Sequence, residues 1–125
     1  MTVRKLSPQA ILIVEDDPLL KFFTVNIVED AGFVALEAAD ADEAVAILEA
    51  RSDIALLLTD INMPGSMDGL KLAHAVRKRW PPIKIIVVSG RVLPADCDLP
   101  ADSHFFAKPY HGERMISEIR SLIGP

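Results

Sequence analysis

The sequence predicts an α/β fold, a doubly wound three-layer sandwich in which five parallel strands lie between layers of helices. Three observations predict it. Five apolar runs alternate with segments of helical period along the chain, and such alternation implies βαβ units with right-handed crossovers. Three of the runs are almost continuously apolar. Strands read this way when both faces are buried, as in a parallel sheet covered by helices. No internal repeat, linker or low-complexity stretch interrupts the 125 residues, so one domain spanning 1–125, with its core at about 9–123, accounts for the chain.

The elements follow in order. Residues 10–14 (A-I-L-I-V) are the first strand. Pro18 suits the first turn of a helix after Asp17, with Leu20, Phe23, Ile27 and Ala31 as its buried stripe and Gly32 as its stop. Residues 33–38 alternate roughly and form the second strand. Asp40 caps a second helix, with Glu43 as its capping-box partner, and Ala41, Ala44, Val45 and Leu48 share one face. The third strand is 54–59 (I-A-L-L-L-T). Asp68 opens a helix on which Leu72, Val76 and Trp80 line up, and Pro81-Pro82 ends it. Residues 83–88 (I-K-I-I-V-V) and the short run 103–107 (S-H-F-F-A) are the fourth and fifth strands. Met115, Ile116, Ile119, Leu122 and Ile123 form the stripe of the last helix. Phe22-Phe23 and Phe105-Phe106 read as core, and Arg77-Lys78-Arg79 as a helix C-terminus favoured by the dipole.

Composition narrows the function classes. Half the residues are hydrophobic, a quarter are charged, and the net charge is −5. A negative chain is poorly suited to nucleic acid, where Lys and Arg must neutralise phosphates. The single cysteine, Cys97, allows no intrachain disulfide, which suits a reducing compartment. No apolar run has the length of a signal peptide core or a membrane span. A cytoplasmic protein with neither membrane nor nucleic-acid partner is expected. His74, His104 and His111 are dispersed and read as surface or packing residues.

The polar residues carry the function. Asp16 and Asp17 lie just past the first strand, Asp60 and Ser89 at the ends of the third and fourth, and Lys108 at the end of the fifth. In a parallel sheet these ends share one edge, the edge where open α/β sheets bind ligands. Clustered carboxylates need a cation among them. Mg²⁺ takes oxygen ligands and is typically held by carboxylates together with a phosphate. A carboxylate can attack phosphorus to give an acyl phosphate, a lysine can neutralise the transferring group, and a hydroxyl can hydrogen-bond it. Singly, each signal has a plainer reading. Asp16-Asp17-Pro18 is a helix cap, Asn62-Met63-Pro64-Gly65 a turn, Ser89-Gly90 a strand exit, and Lys108-Pro109 a solvated strand end before a helix. Their convergence on one edge is the specific feature.

Four motifs in order, E-D-D at 15–17, T-D-I-N-M-P at 59–64, V-S-G at 88–90 and K-P at 108–109, resemble the receiver domain of two-component response regulators. The resemblance covers nearly the whole chain. It implies a flavodoxin-like sheet of order 2-1-3-4-5 and a stand-alone, phosphorelay receiver. Asp60 is then the phosphoacceptor and Asp17 a direct Mg²⁺ ligand, with Asp16 ligating through water or sharing the metal. The backbone carbonyl of Asn62 completes the Mg²⁺ ligands. Lys108 pairs with Asp60 and then with the phosphoryl group. Ser89 is the switch hydroxyl, Phe105 the switch aromatic, and the Lys108–Pro109 bond is cis. The resemblance also implies a histidine kinase or histidine phosphotransfer protein as donor and a partner protein as output. The chain would be no enzyme in the ordinary sense, but a phosphoacceptor that assists its own phosphorylation and dephosphorylation.

Two segments depart from the family pattern. The loop 63–69 is one residue longer through Ser66, and Pro94 and Pro100 predict a shortened or irregular fourth helix between the fourth and fifth strands. The rival reading is a Mg²⁺-dependent aspartyl-phosphate phosphatase or phosphotransferase. Such enzymes place a second Asp two positions after the nucleophile, where this chain has Asn62. A flavin binder would want a Ser/Thr/Gly-rich loop where E-D-D-P stands.

Overall fold

The computed structural model describes residues 9–61, 68–90 and 99–124. Over these residues β1 (Ala10–Val14), β2 (Val34–Ala38), β3 (Ile54–Asp60), β4 (Lys84–Ser89) and β5 (Ser103–Ala107) form one sheet of order β2-β1-β3-β4-β5. Every pairing is parallel. The helices described are α1 (Pro18–Asp30), α2 (Ala41–Ala50), α3 (Gly69–Arg79) and α4 (Gly112–Ile123). No described helix is long and apolar enough to cross a membrane. Residues 62–67 and 91–98, which hold most of the departing loop 63–69 and of the departing stretch 91–102, fall outside the described residues, and with them the Asn62 carbonyl, Cys97 and most of the expected irregular helix.

The core is split by the sheet. On one face Leu12, Leu57, Ile85 and Val87 pack against Ala41, Ala44 and Leu48 of α2 and Leu72 and Val76 of α3. On the other, Ile11, Ile13, Leu56, Leu58, Ile86 and Val88 meet Val28 of α1 and Met115 and Ile119 of α4. Successive strand residues point to opposite faces. That alternation explains why β1, β3 and β4 needed apolar residues at nearly every position.

Helix starts follow their caps. Asp40 accepts from the Glu43 amide at 2.9 Å and Asp68 from the Lys71 amide at 2.9 Å. Strand ends differ slightly from expectation. β2 starts at Val34, β3 runs on to Asp60, and β4 is displaced by one residue to end at Ser89. Pairing decides this: Asp60 is registered against Val88 and Ser89 against Ala107.

The expected stripe of α1 is corrected in part, since Ile27 and Ala31 do pack, half-buried, against the core. The buried residues are Thr24 and Val28, while Phe23 is 40% and Phe22 71% exposed, so the Phe22-Phe23 pair is not core. A 3.6-residue period fits either stripe. The choice fell to Thr24 because the Tyr110 hydroxyl lies 2.5 Å from its Oγ1 and satisfies it, and a buried polar group needs such a partner.

Candidate functional site

The carboxyl ends of β1, β3, β4 and β5 share one edge because all are parallel. Glu15 follows β1 and Asp60 closes β3, and both are buried. Asp16 is exposed beside them. Carboxylate oxygens of Glu15, Asp16 and Asp60 lie within 4.8 Å of one another. The Lys108 ammonium enters from the end of β5, 2.6 Å from Asp60 Oδ2 and 2.8 Å from Glu15 Oε1.

The electrostatics are those of a crowded acidic pocket with one cation in it. Burial pushes the Glu15 carboxyl up, and the negative charge of Asp60 adds to this, against hydrogen bonds from Lys108 and the Asp17 amide. Burial pulls the Lys108 ammonium down, but hydrogen bonds and charge from Asp60 and Glu15 outweigh it, so its pKa is raised.

Backbone hydrogen bonds fix the surroundings of Asp60. The Ile61 amide donates to the Val88 carbonyl at 2.9 Å and the Lys108 amide to the Ser89 carbonyl at 2.8 Å. Ser89 is buried at the end of β4. The Lys108–Pro109 peptide is cis. Phe105 is half-buried on β5, registered against Val87, so β4 lies between it and the strand that carries Asp60. His104 pairs with Glu118 at 2.6 Å, and His111 precedes α4 without a side-chain cap bond.

The structure gives Asp17 a different setting from its neighbours. Asp17 Oδ1 accepts from the amides of Leu19 at 3.0 Å and Leu20 at 3.4 Å. It is the N-cap of α1, not a member of the carboxylate cluster. The acids brought together are Glu15, Asp16 and Asp60, where Asp16, Asp17 and Asp60 were expected. The signal was in the sequence. The residue before a proline at the first helical position is the natural cap, which leaves Glu15 and Asp16 as the two acids nearest the strand. The Asp17 amide donates to Glu15 Oε2 at 3.0 Å, so the cap residue orients the Glu15 carboxylate.

Gly69 was also missed. Its amide donates to the Ile61 carbonyl at 2.8 Å. A Cβ built on it would fall on the carbonyl oxygen of Asp60. The start of α3 therefore lies directly against the backbone of Asp60, and only glycine allows that approach.

Comparison with known proteins agrees with this fold. Residues 11–120 match the response regulator receiver domain family. The chain is 34% identical over 116 residues to the response regulator receiver protein CpdR of Brucella abortus, covering 90% of this chain and 95% of that one. It is 32% identical over 117 residues to the sensor kinase CckA of the same organism, covering 90% of this chain but only 12% of CckA. A CheY-like receiver domain protein from Methanospirillum hungatei superposes with a TM-score of 0.83 at 30% identity, covering 92% of this chain and 93% of that one. The chain belongs to the response regulator receiver family, the phosphoacceptor switch module of two-component systems.

Proposed function

We propose that Asp60 accepts a phosphoryl group, from a histidine kinase or a histidine phosphotransfer protein, in a Mg²⁺-dependent reaction. The observation that carries this reading is the Lys108 ammonium held between Asp60 and Glu15 at the carboxyl edge of the sheet. The donor set fits a hard divalent cation. Glu15, Asp16 and Asp60 offer only oxygen, within 4.8 Å of one another, and the Lys108 ammonium pairs with two of them. Glu15, Asp16 and Asp60 would hold Mg²⁺, with the Asn62 carbonyl as a further ligand. Bound there, Mg²⁺ supplies neutralisation of the phosphoryl oxygens.

The chain's own residues do the rest. An oxygen of Asp60 forms the new P–O bond as the donor's P–N or P–O bond breaks, and that bond's electron pair leaves with the donor. Lys108 exchanges the Asp60 carboxylate for a phosphoryl oxygen. Ser89 hydrogen-bonds another phosphoryl oxygen, and the space it vacates lets Phe105 change packing. Such a switch is a population shift biased by one local charge change. Its output is a contact with a protein partner in the cytoplasm. The similarity to part of a sensor kinase supports a histidine-bearing donor.

The test is phosphorylation by a small acyl phosphate. With Mg²⁺, intact mass should rise by one phosphoryl group, and chelation should prevent it. Asp60→Asn should abolish the adduct, because an amide is a poor nucleophile. An adduct of equal size in that variant would overturn the assignment.

A further inference from the structure

Tyr110 lies two residues beyond Lys108. Its hydroxyl meets Thr24 Oγ1 at 2.5 Å, and Thr24 is 1% exposed on the inner side of α1. The ring is fixed from two sides. It stands edge-on to Phe106, with centroids 6.4 Å apart at 86°, and tilted against Phe23 at 6.4 Å. Phenylalanine would pack in the same place. The hydroxyl, matched to a buried threonine in a helix face otherwise suited to apolar residues, has a separate purpose.

The ends of this hydrogen bond belong to the two halves of the site. α1 follows Asp16 directly, and the amide of its cap, Asp17, holds Glu15. Tyr110 follows Lys108, which holds Glu15 and Asp60. In the sheet, β3 and β4 separate β1 from β5, so strand pairing alone fixes the spacing of these halves loosely. Burial raises the phenol, which keeps it protonated at neutral pH. We infer that Tyr110 is a positioning residue: its hydrogen bond to Thr24 is a strut between α1 and the segment after β5 that holds Lys108 at Asp60 for phosphoryl transfer. The inference rests on the reading of Asp60 as phosphoacceptor.

The rate constant for phosphorylation of Asp60 by acetyl phosphate, at saturating Mg²⁺, tests it. Tyr110→Phe and Thr24→Val should each slow the reaction about fivefold, the effect of one neutral hydrogen bond. The double variant should be no slower than either single one, because both break the same bond. Thr24→Ser, which keeps the hydroxyl, should react like the parent chain. In a Lys108→Ala background, Tyr110→Phe should have no further effect. A parent-like rate in Tyr110→Phe would overturn the inference. So would an equal loss with and without Lys108, since that marks general support of the fold. A parent chain that forms no adduct would instead overturn the reading of Asp60 itself.

Discussion

Asp16 and Asp17 are neighbours with the same side chain, yet the structure gives them separate tasks. Asp17 closes the first turn of α1, and Asp16 faces Glu15 and Asp60. Substitution separates the two tasks. Asp17→Ala should lower stability by ~1 kcal/mol, the worth of an N-cap, and leave Mg²⁺ affinity nearly unchanged. Asp16→Asn should do the reverse, sparing the melting temperature of the metal-free protein and weakening Mg²⁺ binding. Thermal melts with and without Mg²⁺ check both. Tyr110 gives a residue-scale test of burial. It is the single tyrosine of the chain, so ultraviolet titration reads one phenol. Burial raises its pKa above the ordinary 10.0. The fold therefore keeps that proton to a higher pH than the unfolded chain does. The stability linked to this group is fully present below pH 10.0 and is lost as pH rises through the folded value. The phenol should titrate above 10.0 in the native protein and return to the ordinary value in denaturant.

At the scale of elements, β3 and α3 meet at a point where no side chain fits. Gly69 stands against the Asp60 carbonyl, so Gly69→Ala must push α3 off the acceptor or displace Asp60. We expect a loss of roughly 2–3 kcal/mol, typical of overpacking, with slower phosphorylation of Asp60. Chemical denaturation and the acetyl phosphate assay read the two effects. The exposed Leu19 and Phe22 of α1 are a contrast. Neither is core, so Phe22→Ser should change stability by less than about 0.5 kcal/mol. The far end of α3 is tied down differently. Arg77 donates to the carbonyls of Ala101 at 2.8 Å, Pro81 at 2.8 Å and Ile83 at 3.2 Å, and Arg79 lies 4.3 Å over the Trp80 ring.

Across the whole molecule, the sheet separates a reactive edge from a structural one. α3 runs from Gly69 at the site to the turn at Trp80, roughly 16 Å at 1.5 Å per residue. Trp80 packs beside Leu48, Ile54 and Ile83, at the edge where the strands begin. Mg²⁺ should therefore leave Trp80 fluorescence nearly unchanged while raising the melting temperature. Ligand in hundredfold excess over its Kd adds about 2.7 kcal/mol by mass action. Quenching of Trp80 that followed the thermal shift would contradict this separation.

The sequence by itself determined the fold class, the strand order through its resemblance, and four of the residues that meet at the edge: Asp16, Asp60, Ser89 and Lys108. It could do so because a parallel sheet brings all its carboxyl ends to one side, and strand runs count residues to those ends. What only the tertiary structure decided are the choices that local pattern leaves equal. Of three acids in a row, the structure gives Asp17 the cap of α1 and brings Glu15 and Asp16 beside Asp60. Two stripes fit the period of α1, and the Tyr110 hydroxyl selected the one through Thr24. Gly69 looked like an ordinary helix start until the acceptor's carbonyl was placed against it. The Thr24 stripe depends on Tyr110, far along the chain, and Gly69 on the carbonyl at the end of β3, and such partners are brought together by packing.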